Sequence, residues 1–115
     1  MTITKLATIM NEYIQVATTV NDEKKASEIA SLLLETRAVA CVQILGPIAS
    51  SCWWKGKIQR TNEWMCLAKA RAEDYEKIQA TIKSAHPYEV PEIVAVPIYG
   101  NPAYLSWIRE ETTSK

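Results

Sequence analysis

Apolar and polar positions along this chain change period several times, and each change marks an element. Tyr13 to Thr19 (Tyr-Ile-Gln-Val-Ala-Thr-Thr) is rich in β-formers and predicts a strand. Asn21 then offers an N-cap, and Asp22 and Glu23 put negative charge into a first helical turn. Ala26, Ile29, Ala30, Leu33 and Leu34 recur at steps of three and four, which predicts an amphipathic helix to about Thr36. Ala38 to Lys55 reads as extended chain throughout. Those eighteen residues would span on the order of 60 Å, whereas a globule of this length has a radius of gyration of about 13 Å. The segment must therefore bend, project, or both, and Gly46-Pro47 is the expected bend. Gly56 marks a reversal. Lys57 to Ala70 returns as a second strand, with Glu63, Met65, Leu67 and Lys69 alternating against Trp64, Cys66, Ala68 and Ala70.

Glu73 to Ala85 predicts a second helix, with Tyr75, Ile78, Ile82 and Ala85 on one face. Ile93 to Tyr99 reads as a short strand, where Pro97 suggests an edge or a strand end. Asn101-Pro102 is a helix start, Asn as N-cap and Pro at the first position, and Tyr104, Leu105, Trp107 and Ile108 are the expected buried side. The order strand, helix, strand, strand, helix, strand is an α+β plan. It is the ferredoxin-like split βαβ sandwich, here with a long central β-hairpin and an extra C-terminal helix. Residues 1–12 show no clean periodicity and read as a disordered tail before a domain at 13–115. A hairpin this long exposes unpaired edges, so its length alone predicts an obligate oligomer, unless the hairpin curls over its own helices.

The composition narrows the function. At 115 residues the chain is one domain. Thirteen basic and thirteen acidic residues cancel, which argues against a protein that grips nucleic acid by neutralising phosphates. No apolar run approaches the length of a membrane span, and no secretory h-region is visible, so a cytoplasmic protein is expected. Cys41, Cys52 and Cys66 are widely spaced and odd in number, which fits reduced, mostly buried thiols better than a disulfide framework or zinc cage. There is no Ser-His-Asp pattern, no phosphate-binding glycine loop and no H-E-x-x-H, so the inventory is not that of an enzyme.

The chemistry concentrates in His86-Pro87-Tyr88-Glu89-Val90-Pro91-Glu92-Ile93, which holds the single histidine. Two prolines bracket Tyr88, Glu89 and Val90, so neither helix nor central strand fits. The stretch is a stiff connector that presents an imidazole, a phenol and two carboxylates. It serves either as a recognition loop or as a structural loop whose prolines end a helix.

Several runs of the chain match a known pattern in order. They are Ala40-Cys41-Val42, Trp53-Trp54-Lys55-Gly56-Lys57, Leu67-Ala68-Lys69, His86-Pro87-Tyr88-Glu89-Val90-Pro91-Glu92 and Gly100-Asn101-Pro102-Ala103-Tyr104-Leu105-Ser106-Trp107. From about Tyr13 to Glu110 the chain closely resembles the CutA family, the divalent-cation tolerance proteins. The resemblance implies a ferredoxin-like protomer in a stable homotrimer, with long strands pairing between subunits. It also implies an architecture like the PII signalling proteins, a link to copper and other divalent metals, and no established reaction.

On that resemblance the expected ligand is Cu²⁺ or another divalent cation, with no organic cofactor. His86 is the candidate main ligand and Glu92 and Glu89 assist, because imidazole suits copper and zinc. Some family members carry a metal-linked cysteine at the end of the first strand, but the matching position here is Thr18. Cys41 matches the family cysteine of the second strand, and core packing suits it at least as well. The alternative is a signalling or small-molecule module in which Trp54, Lys69 and Tyr88 line a cleft between subunits, Lys69 meeting an anionic ligand. Neither nucleic acid nor a membrane is an expected partner.

Overall fold

Eight residues of β-rich sequence open the sheet. The structure, a computed structural model, describes residues 12–113. Strand β1 (Tyr13–Val20) is followed by helix α1 (Glu23–Glu35), strands β2 (Val39–Trp54) and β3 (Lys57–Arg71), helix α2 (Tyr75–Ala85), strand β4 (Val94–Pro97) and helix α3 (Pro102–Thr112). The strands form one sheet in the order β2-β3-β1-β4, with each neighbouring pair antiparallel. This is the α+β arrangement expected from the sequence.

Side-chain alternation divides the two faces of the sheet. Ile14, Val16 and Val20 of β1 and Cys66, Ala68 and Ala70 of β3 pack against Ala26, Ile29 and Leu33 of α1 and Ile78 and Ile82 of α2. Burying each of the large aliphatic side chains stabilises the fold by about 1.5–3 kcal/mol. On the opposite face Tyr13 packs with Leu105 and Ile108 of α3. Arg109 Nε donates to the Tyr13 hydroxyl at 3.1 Å, and Arg71 donates to the Thr112 carbonyl at 2.9 Å, so two guanidinium groups fasten the C-terminal end of α3 to the sheet.

Local signals behave largely as physical chemistry requires. Asn101 caps α3, its side chain accepting from the Tyr104 N–H at 2.8 Å, with Pro102 in the first turn. The reversal at Lys55-Gly56 has positive φ at both residues, 51° and 80°, the backbone twist that suits a two-residue hairpin. The N-cap of α1 is Asp22 and not Asn21: its carboxylate accepts from the Lys24 N–H at 2.9 Å. A carboxylate one residue closer to the helix supplies both the cap and the charge. A 3₁₀ turn at Ala72–Asp74 precedes α2, so that helix begins two residues later than Glu73. β4 is confined to Val94–Pro97, where Pro97 opposite Ile14 closes the ladder.

Two packing expectations are corrected. Tyr104 and Trp107 are not buried: they are 39% and 38% exposed and stack on each other with centroids 5.6 Å apart. Leu34, at 45% exposed, also falls outside the core stripe of α1. The expected tail lies almost wholly outside the described residues; Glu12, within them, accepts the Ala72 N–H at 2.8 Å.

The hairpin both bends and projects. The register of β2 on β3 shifts between Val39 and Cys41 and again between Leu45 and Ile48, so each shift adds a residue to β2. The second shift contains Gly46-Pro47, the bend expected there. A Cβ on Gly46 would run into the Trp64 indole, only 2.7 Å from its Cγ, so glycine is what lets the strands approach. The radius of gyration is 15.3 Å and the extents are 46 × 33 × 22 Å, larger than the ~13 Å of a compact chain of this size. Among the described residues no helix is long and apolar enough to cross a membrane.

Candidate functional site

The site begins where α2 must stop. Pro87 disfavours helical geometry at His86, and His86 is extended at φ −81°, ψ 133°. Its N–H still closes the last turn by donating to the Ile82 carbonyl at 2.9 Å. The imidazole is thereby directed at the end of β1, and its Nε2–H donates to the Thr19 carbonyl at 2.8 Å. The other ring nitrogen, Nδ1, accepts the Tyr88 N–H at 3.1 Å. Because a carbonyl only accepts and an N–H only donates, the ring is held as the Nε2–H tautomer. Both nitrogens of the chain's one imidazole are used inside the protomer.

Tyr88 continues the arrangement. Its ring meets His86 edge-on at 4.7 Å, and its hydroxyl donates to Glu63 Oε2 at 2.7 Å. Glu63 is only 6% exposed, on β3 opposite Ile48 and just beyond the second register shift. Removal from water, and then the Glu63 carboxylate beside it, hold the Tyr88 phenol well above the usual tyrosine range. One loop therefore joins α2, the end of β1 and the root of the projecting hairpin. Farther out, Lys55 Nζ lies 3.9 Å from Glu89 Oε2 with both side chains more than 70% exposed, a contact that contributes little.

The candidate metal ligands do not form a site in this arrangement. His86 is committed at both nitrogens, Glu89 faces Lys55, and Glu92 is exposed. Among the described residues no group of three His, Cys, Asp or Glu is placed to hold a metal ion. The thiols do not supply the deficit. Cys66 is buried and points its Sγ at the Ala26 carbonyl, 3.6 Å away; Cys41 is half-buried; Cys52 is exposed on the hairpin, contrary to the expectation of mostly buried thiols. Thr18, opposite Cys66 on β1, is buried with its Oγ1 unpartnered.

The second candidate set is also dispersed within one protomer. Trp54 lies at the hairpin tip, with Lys55 Nζ 5.6 Å from its ring centroid. Lys69 lies near the far end of β3 and donates to Gln43 Oε1 at 3.2 Å. Trp54 pairs with Lys57, so twelve residues of strand separate it from Lys69, on the order of 40 Å of extended chain. Trp54, Lys69 and Tyr88 share no cleft in the single chain. Sequence reading passed over Glu63 and the Thr19 carbonyl, the two groups that anchor the loop. The signal for Glu63 was present only as a carboxylate on a strand that enters the core. Thr19 acts through its backbone, which no residue type reveals.

The comparisons with known proteins fit this architecture. The CutA1 family, described as divalent ion tolerance proteins, matches residues 14–111. The divalent-cation tolerance protein CutA of Thermus thermophilus is 42% identical over 95 residues, 82% of this chain and 92% of that protein. The mouse protein CutA is 39% identical over 94 residues; the match covers 81% of this chain but 53% of the mouse protein, so the chain spans about half that relative's length. Among solved structures, CutA1 from Oryza sativa superimposes with a TM-score of 0.86 at 31% identity, covering 93% of this chain and 99% of that one. The Thermus thermophilus structure gives 0.84 at 40% identity, covering 88% and 99%. The chain belongs to the CutA1 family of divalent ion tolerance proteins.

Proposed function

We propose that this protein acts without catalysis, as a homotrimer that binds divalent cations, copper among them. The observation that carries the reading is the state of the sheet edges. β2 and β4 are the two outer strands, all four residues of β4 are exposed, and Val94 and Val96 are each 50% exposed. Ile44, Leu45, Trp53 and Ile58 add further exposed apolar surface along the hairpin, Trp53 at 73%. Edges of this length and character invite strand pairing with another chain, and closed assembly of identical copies satisfies them. The trimer is the closed form that the family resemblance implies.

The cation reading is supported by the family description and by the placement of the one imidazole on a proline-braced loop with Glu89 and Glu92. Since the described residues of one protomer gather no ligand set, the remaining donors for a His86-centred site come from a neighbouring subunit. Titration calorimetry with Cu²⁺ and Zn²⁺ on the native protein and on His86→Ala tests this reading. Heat that disappears in the variant is expected. An unchanged titration contradicts it.

A further inference from the structure

We draw no further inference here: the strongest candidate, the exposed Trp53–Ile58 cross-strand pair beside Lys55, Lys57 and Arg60 on the projecting hairpin, carries nothing, because nothing in the structure shows what covers it and coverage by a second copy of this chain restates the assembly already proposed.

Discussion

The Tyr88 hydroxyl donates to Glu63 Oε2 at 2.7 Å, tying a proline-braced loop to a carboxylate that is 6% exposed on β3. A buried carboxylate that loses its donor bears its desolvation alone. Tyr88→Phe should therefore destabilise the protein by about 1.5–3 kcal/mol, more than an ordinary neutral hydrogen bond. Glu63→Gln should cost less, because a neutral amide still accepts. A double-mutant cycle followed by urea unfolding checks this; additive effects of the two substitutions would show that the pair is not coupled.

Gly46 should not tolerate a side chain. Its missing Cβ is what admits the Trp64 indole, so Gly46→Ala forces one strand away from the other. A loss of about 1–3 kcal/mol is expected. Combining it with Trp64→Leu should recover part of that loss, since leucine is narrower than indole. Thermal unfolding of the single and double variants measures the effect. An undiminished midpoint in Gly46→Ala would remove the steric account of the bend.

Thr18 presents the opposite case. Its hydroxyl is buried in the core without a partner, opposite Cys66. Valine has the same shape and no polar atom. Thr18→Val should raise stability by about 1 kcal/mol, read from the urea midpoint at unchanged slope. Destabilisation would mean that the hydroxyl is satisfied by a bound water.

Alkaline pH should weaken the fold through two groups. Burial pushes the Cys66 thiol from its ordinary 9.0 up to about 11, and burial with Glu63 raises the Tyr88 phenol above its ordinary 10.0. Each folded value exceeds its unfolded value, so the folded state favours the protonated form. That stability is complete below the unfolded value and is lost as pH rises toward the folded one. For Cys66 the window is pH 9.0 to about 11, with a loss on the order of 2 kcal/mol. Stability should thus fall between those pH values, and Cys66→Ala should flatten the fall. A native protein whose urea midpoint is constant across the window would contradict this.

Much of the frame was legible because local rules governed it. The Lys55-Gly56 reversal, the Asn101 cap with Pro102 and the 3-4 spacing of Ala26, Ile29 and Leu33 are short-range signals, and each structure formed as its signal indicated. The cap of α1 differed by one residue because Asn21 and Asp22 are both good cap types, and it is Asp22, directly before Glu23, whose carboxylate accepts from the Lys24 N–H. Tyr104 and Trp107 sit at helical core spacing, yet Leu105 and Ile108 fill the space under α3 and leave them outside. The site was legible only as a loop. His86 and Tyr88 were visible as candidates, but their partners Thr19 and Glu63 lie 67 and 25 residues away, brought there by antiparallel pairing and a register shift. Sequence spacing carries no trace of such contacts, and it cannot show that an imidazole has both nitrogens occupied.

The central claim is that this chain completes its sheet edges with copies of itself and takes up divalent cations in that state. Native mass spectrometry at micromolar protein, with and without added Cu²⁺, tests it most directly. The account predicts an assembly of three times the 12.9 kDa chain mass, carrying bound copper that is absent from the His86→Ala assembly. A single chain of 12.9 kDa that gains no metal would contradict it.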